Sequence, residues 1–202
     1  MVVLLSLSFA IAVLLPPLFL LVLIGYLVAT TAYSLGLKRM LLGDVLTLAG
    51  LYTTRILAGA AATATPVSFW LLAFSGFFFL SLALVKRYVE LDSLDVENGI
   101  RIAGRGYRGE DREIVAQSGV ASAFSSALVL ALYIHGDTVR ELYAQPWLIW
   151  PLVPIVLYIN IRIWVLARRG EMHDDPVVFI IRDWRSQIVA VFGAVLLVFA
   201  GL

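Results

Sequence analysis

Ser81-Leu82-Ala83-Leu84-Val85-Lys86-Arg87-Tyr88-Val89-Glu90-Leu91-Asp92-Ser93-Leu94-Asp95 is the stretch on which the reading of this chain turns. It carries the end of an apolar run, Val67 to Val85, straight into two cations, a phenol and three acids, with no spacer between. A bilayer core about 30 Å thick needs roughly 20 apolar residues per helix, so the run is of spanning length and the charges fall where its helix meets water. Cations at that level are expected on the cytoplasmic side. The acids need a further reason. Carboxylates beside a basic pair can hold a hydrated divalent metal and, through it, a phosphate; a solvated interfacial turn is the plainer alternative.

Composition sets the same class. The chain has 202 residues, 61% of them hydrophobic and 14% charged, with a mean hydropathy of +0.95. A water-soluble domain of this length cannot bury so much apolar surface, and lipid must be part of its solvent. A net charge of +1 gives no case for nucleic-acid binding. There is no cysteine, which excludes disulfides and thiolate chemistry, and two histidines, His135 and His173, are too few for a histidine-rich metal site. Carboxylate–magnesium chemistry stays open. The chain opens inside an apolar run, its first charge is Lys38, and it reads as the back part of a longer protein.

Seven apolar spans follow in order: 2–15, 18–35, 44–62, 67–85, 114–134, 147–167 and 188–202. Pro16-Pro17 separates the first two. The polar loops fall at about 36–43, 86–113 and 168–187 within a single transmembrane domain covering 1–202. They hold nearly all the cations, and only Arg140 lies in a loop at the other end, so the even-numbered exits are expected in the cytoplasm. Trp70, Tyr133, Tyr143, Trp147 and Trp150 then form an aromatic belt at the outer interface. Gly50, Ala58, Gly59, Ala60, Ala61 and Ala62 suit close helix packing. No internal repeat is visible, which weighs against an inverted-repeat transporter.

Three places could carry chemistry besides the opening stretch. Arg55 lies eleven residues after Asp44, about three helical turns or 16 Å, so the two share a face, and an arginine at that depth is expected to meet a polar cavity or a partner. Arg162, nearer a helix end, can snorkel to the surface. Gly104-Arg105-Gly106-Tyr107-Arg108-Gly109-Glu110-Asp111-Arg112 combines three glycines with three arginines. It reads either as a lid over an anion or as a plain mobile loop. Gly170-Glu171-Met172-His173-Asp174-Asp175-Pro176, followed by Arg182-Asp183, offers acids that complete a metal site or simply balance Arg168 and Arg169. Tyr33 and Lys38 close the second span as a common membrane-end pattern.

The runs Y-S-L-G-L-K-R (33–39), D-V-L-T-L-A-G-L-Y-T-T-R-I-L-A-G (44–59), S-L-A-L-V-K-R-Y-V-E-L (81–91), G-E-M-H-D-D-P (170–176) and I-I-R-D (180–183) resemble the UbiA superfamily of intramembrane prenyltransferases, on the branch near polyprenyl-phosphate phosphoribosyltransferases. The resemblance implies an all-α polytopic membrane helix bundle, in which the seven spans are helices three to nine of a nine-helix fold. It implies a transferase that moves a prenyl or phosphoribosyl group between a diphosphate donor and an acceptor with Mg2+. Its partners are a polyprenyl lipid substrate, the donor, membrane lipid and a missing N-terminal portion of the same protein, and its setting is the bacterial inner membrane. The implied diphosphate-binding residues are Tyr33, Lys38, Arg55, Lys86, Arg87 and Tyr88; the implied metal ligands are Glu90, Asp92, Asp95, Asp174 and Asp175. The family's first acid-rich motif, N-D-x-x-D-x-x-x-D, has no match here, and K-R-Y-V-E-L-D stands where D-x-x-x-D is usual, which suits a sugar-diphosphate donor better than a prenyl one. One extra residue separates Tyr33 from Lys38. With the first motif lacking, the chain alone is expected to turn over little or no substrate. A non-catalytic lipid-binding or scaffold protein, or a small transporter, is the competing reading.

Overall fold

A computed structural model describes residues 12, 14–93, 105–136, 139, 143–172 and 175–201. The described chain is helical. α1 is Pro17–Leu35, α2 Gly43–Thr63, α3 Phe69–Asp92, α4 Arg112–His135, α5 Leu152–Arg168, α6 Pro176–Arg182 and α7 Trp184–Gly201. Six described helical segments are long and apolar enough to cross a membrane; α6 is the short exception. The first expected span, 2–15, lies almost wholly outside the described residues.

Local chemistry places the boundaries. Pro17 opens α1, where a missing N–H costs nothing. Residues 36–42 turn the chain through a short 3-10 segment, Leu37–Arg39, and end at Leu42 with φ of 60°. That left-handed backbone is costly for a branched side chain and needs outside support. Ala64, also left-handed, closes α2, and the N–H of Thr65 donates to the Ala60 carbonyl.

α3 departs most from expectation. The apolar run stops at Val85, and the charged residues after it read as the start of a loop, yet the helix continues to Asp92. Tyr88 and Leu91 explain the overrun, since both are buried in the core against Trp164, Val115 and their neighbours. Lys, Arg and Glu cost a helix little, and core packing of the alternate positions holds the extra turns in place. The expected loop of 168–187 likewise contains α6, whose first N–H groups are capped by Asp175 through Val177 N–H at 3.0 Å.

α3 is the hub. It packs along α2 and most extensively along α4, and it touches α5 and α6. Three helices lock at one point: the Trp164 indole N–H donates to Ser81 Oγ at 3.0 Å, and Ser81 donates to the Gly119 carbonyl at 2.9 Å. Gly119 is obligatory there, because a Cβ would fall 2.0 Å from the Trp164 ring. α1 buries no residue against the rest, and α7 buries three. Faces of this kind suit a lipid solvent in which Leu and Phe need not hide.

The polar ends gather at one end of the bundle. Asp92 at the end of α3 pairs with Arg112 at the start of α4 at 2.8 Å, and Arg168 at the end of α5 pairs with Glu113 at 2.9 Å. At the opposite end Trp70, Trp147 and Trp150 are all exposed, as interfacial anchors should be.

Candidate functional site

The site forms where α1 ends, α2 begins and α3 overruns. Asp44, in the first turn of α2, is fully buried. Its carboxylate lies 3.0 Å from Nε of Arg87, itself 0% exposed, and Arg87 Nη1 also donates to Glu90. A buried charge left alone would cost several kcal/mol, so the three groups hold one another. Arg87 Nη2 has no partner among the described residues.

A strap covers this pair. Residues 105–108 lie across the 39–42 turn so closely that a Cβ on Gly106 would sit 2.7 Å from the Leu41 backbone nitrogen. Only glycine permits that approach. The strap then delivers two side chains. The Tyr107 hydroxyl donates to Asp44 Oδ1 at 2.9 Å and accepts from the N–H of Leu42 at 3.1 Å, which supports the left-handed Leu42. Arg105 donates to the Tyr33 hydroxyl at 2.9 Å and stands 3.4 Å from Asp44 Oδ2. Burial and the nearby Asp44 carboxylate push the Tyr107 phenol well above its usual range, so it stays a donor. Burial works against the Arg105 charge, but the Tyr33 hydroxyl and the carboxylates of Glu90 and Asp44 outweigh it and raise its pKa. The segment 105–108 is therefore a docked strap. Of the two readings open to it, the mobile loop does not fit these residues.

Lys86 lies beside this cluster, one turn before Glu90 on α3. Its Nζ bonds Asp175 Oδ2 at 2.7 Å, while the other oxygen of Asp175 caps α6. Lys86 and Asp175 border a narrow crevice with Tyr52 and Leu48 of α2. Further along α2, Arg55 is exposed; it donates to the Tyr26 hydroxyl of α1 at 3.3 Å and lies 4.7 Å from the Tyr52 ring centre. Tyr52 in turn stacks on Phe79. An open apolar cavity of about 520 Å³ lies between α2 and α3, lined by Ala49, Gly50, Thr53, Leu57, Gly76 and Phe77 among others, and shares no lining residue with the crevice.

The structure thus brings Tyr33, Arg87 and Glu90 into one network through Asp44 and Arg105. Lys86 joins its rim, and Lys38 sits on the 3-10 turn beside it, with no ion pair to a described residue. Tyr88 turns away into the core, edge to face with Trp164 at 5.8 Å. Arg55 meets phenols where a cavity floor was expected. The three described metal candidates are apart: Glu90 is held by Arg87, Asp92 by Arg112 and Asp175 by Lys86. Among the described residues no three acids or histidines gather where they could hold a metal ion. Asp95, His173 and Asp174 lie outside the described residues. Sequence reasoning did not give Asp44 a site role and missed what Arg105 and Tyr107 do. The available signal was an acid in the first turn of an apolar helix with a basic, glycine-rich loop elsewhere to answer it.

Comparison with known proteins agrees with this architecture. A family model described as the UbiA prenyltransferase family matches residues 1–182. The chain is 38% identical over 189 residues to the uncharacterized protein y4nM of Sinorhizobium fredii, covering 93% of this chain and 36% of that protein. It is 36% identical over 153 residues to nodulation protein NoeC of Azorhizobium caulinodans, covering 76% and 50%. It is 28% identical over 184 residues to decaprenyl-phosphate phosphoribosyltransferase of Mycobacterium tuberculosis, covering 91% and 58%. The chain therefore spans between about a third and three-fifths of the length of these relatives.

Proposed function

The chain belongs to the UbiA prenyltransferase family, and from that premise we propose that it forms the helical body of a membrane transferase that moves a prenyl or phosphoribosyl group from a diphosphate donor to an acceptor. One observation carries the reading: two cations of the polar mouth, Arg105 and Lys86, are partly exposed and are held by groups that a ligand can replace. Arg105 is 21% exposed and Lys86 38%. Each can exchange a side-chain partner for a phosphate oxygen at small cost, because a diphosphate offers a stronger acceptor than a phenol or a shared carboxylate. Lys38, unpaired among the described residues, adds a third cation to the rim.

The residues divide the work. Arg105 and Lys86 meet developing charge on the departing diphosphate. The Tyr33 hydroxyl orients Arg105. Arg87, enclosed between Asp44 and Glu90, does not reach a ligand in this arrangement; it fixes the two carboxylates that in turn fix Arg105. The apolar cavity between α2 and α3 gives a polyprenyl tail a place to lie along the bundle. We place this mouth on the cytoplasmic side of a bacterial inner membrane, as the cation bias of its loops supports.

Magnesium supplies charge neutralisation to a diphosphate when bound. The described carboxylates, each engaged by a cation, do not make a site for it by themselves. A magnesium site would have to draw Asp95 and Asp174 together with Glu90, Asp92 and Asp175.

The same pairing of every described candidate acid favours one second reading, a closed lipid-binding or scaffold module without turnover. Membranes carrying the chain decide between them. Labelled phosphoribosyl diphosphate or prenyl diphosphate is expected to be retained by the wild type and lost with Lys86→Ala. Equal retention in both would count for the scaffold.

A further inference from the structure

A second concavity lies on the far side of α5, away from the mouth. Tyr158, Ile161, Arg162, Val165, Arg169 and Arg185 line most of a cleft of about 390 Å³ between α5 and the start of α7, with Glu171 at its rim. Its two walls differ in chemistry. Tyr158, Ile161 and Val165 recur at helical spacing along α5 and are 45%, 41% and 40% exposed, so they present a continuous apolar strip to the hydrocarbon. The strip ends at cations. Arg169 caps the end of α5, and Arg185 occupies the first turn of α7, stacked 5.6 Å from the Trp184 ring.

The charges are not all available. Arg162 is spent: it forks onto Asp183 at 2.7 and 3.1 Å, and Asp183 also accepts from the N–H and hydroxyl of Ser186. That cluster fixes how α5 meets α7 and leaves Asp183 saturated. Arg169 makes no ion pair with a described residue, and the ion pairs of the described chain leave Arg185 with its ring contact. Two arginines therefore reach the mouth of a cleft whose floor is greasy and whose level, marked by the exposed Trp184, is that of lipid headgroups.

We propose that this cleft binds one anionic membrane phospholipid, its phosphodiester bridging Arg169 and Arg185 and one acyl chain lying on Tyr158, Ile161 and Val165. Guanidinium forks match phosphate oxygens, and a basic pocket between helices at the membrane surface is suited to an anionic headgroup. The apolar strip directly below the cations selects a lipid over a free phosphate. Glu171 is placed to accept from a headgroup hydroxyl, which favours a glycerol headgroup. The site is separate from the transferase mouth and does not rest on the donor reading.

Native mass spectrometry of the full chain, released from detergent with equal amounts of phosphatidylglycerol and phosphatidylcholine of the same acyl chains, tests it. Wild type is expected to retain one phosphatidylglycerol preferentially, and R169Q/R185Q to lose that preference by about twentyfold. Arg39→Gln with Arg108→Gln removes the same charge from exposed positions at the same end of the bundle and should leave the preference intact. Val165→Trp, which fills the cleft and keeps both arginines, should reduce it even if the double variant folds poorly. The proposal is overturned if R169Q/R185Q keeps the wild-type preference, if the Arg39 and Arg108 pair abolishes it equally, or if free glycerol phosphate at matched concentration displaces the lipid as well as phosphatidylglycerol does.

Discussion

Asp44 and Arg55 stand on the same face of α2, three turns apart, and the bundle treats them in opposite ways. Asp44 is sealed in by Arg87, Arg105 and Tyr107. Arg55 is exposed and has phenols for company, Tyr26 and Tyr52. Helical periodicity gives the direction in which a side chain leaves its helix, but not what stands opposite at each level. At the level of Asp44 the overrun of α3 and the strap supply counter-charges. At the level of Arg55 the facing surface is α1, whose polar offering is a hydroxyl. A charge in an apolar helix thus marks a place where something must answer it; the answer depends on which other segment arrives.

The sharpest way to break the contrast is to remove one partner from the sealed end. Asp44→Ala takes from the buried Arg87 one of its two carboxylate partners and leaves Glu90 alone to answer it, and breaking a buried pair costs up to about 3–5 kcal/mol. Thermal unfolding in detergent should show that loss. An unchanged Tm would mean that Arg87 reaches water by another path.

Gly119→Ala attacks the packing that carries α3 past its apolar run. Its Cβ would collide with the Trp164 ring, and overpacking of this kind costs roughly 1–3 kcal/mol. Loss of the Ser81–Trp164 bond should accompany it as a shift in tryptophan emission. Gly106→Ala separates the strap from the 39–42 turn at similar or smaller cost. The expected mark is faster hydrogen exchange at the Leu42 N–H, since Tyr107 no longer supports it.

A fourth test uses pH. Burial works to raise the Asp183 pKa, but the bonds from Ser186 and Arg162 outweigh it and hold the carboxyl below its ordinary range. A depressed carboxylate contributes stability above its unfolded pKa of about 4 and loses it as pH falls through the folded value. Asp183→Asn should therefore lower Tm at neutral pH and flatten its fall below pH about 4. Arg55→Gln marks the small end of the series. With only phenol partners and an exposed side chain, it should move stability by less than about 0.5 kcal/mol. A large effect would show that Arg55 has a partner comparable to that of Asp44.

These contrasts also say what was legible beforehand. Six spans were readable because runs near twenty apolar residues have one stable solution in lipid. A gathering of polar loops at one end was expected from the cation bias, and the ion pairs Asp92–Arg112 and Glu113–Arg168 join the ends of α3, α4 and α5. The overrun of α3 was hidden because Lys86, Arg87 and Glu90 look like loop residues; only tertiary burial of Tyr88 and Leu91 makes them helical. Arg87 looked like a ligand-binding cation, and it is enclosed, because nothing in the local sequence announced that Asp44, forty-three residues earlier, would meet it. Glycine content suggested mobility in the strap, whereas Gly106 serves close approach. Arg162 read as a snorkelling residue and instead forks onto Asp183, a partner twenty-one residues away that shares no helix with it.

Arg105 and Lys86, on the function proposed above, are cations held ready for a diphosphate. Calorimetric titration of the purified chain with pyrophosphate in magnesium-containing buffer tests it most directly. Saturable binding is expected that weakens about tenfold with Lys86→Ala and again with Arg105→Ala, while Arg55→Gln leaves it unchanged. Equal affinity in the wild type and the Lys86, Arg105 double variant would contradict it.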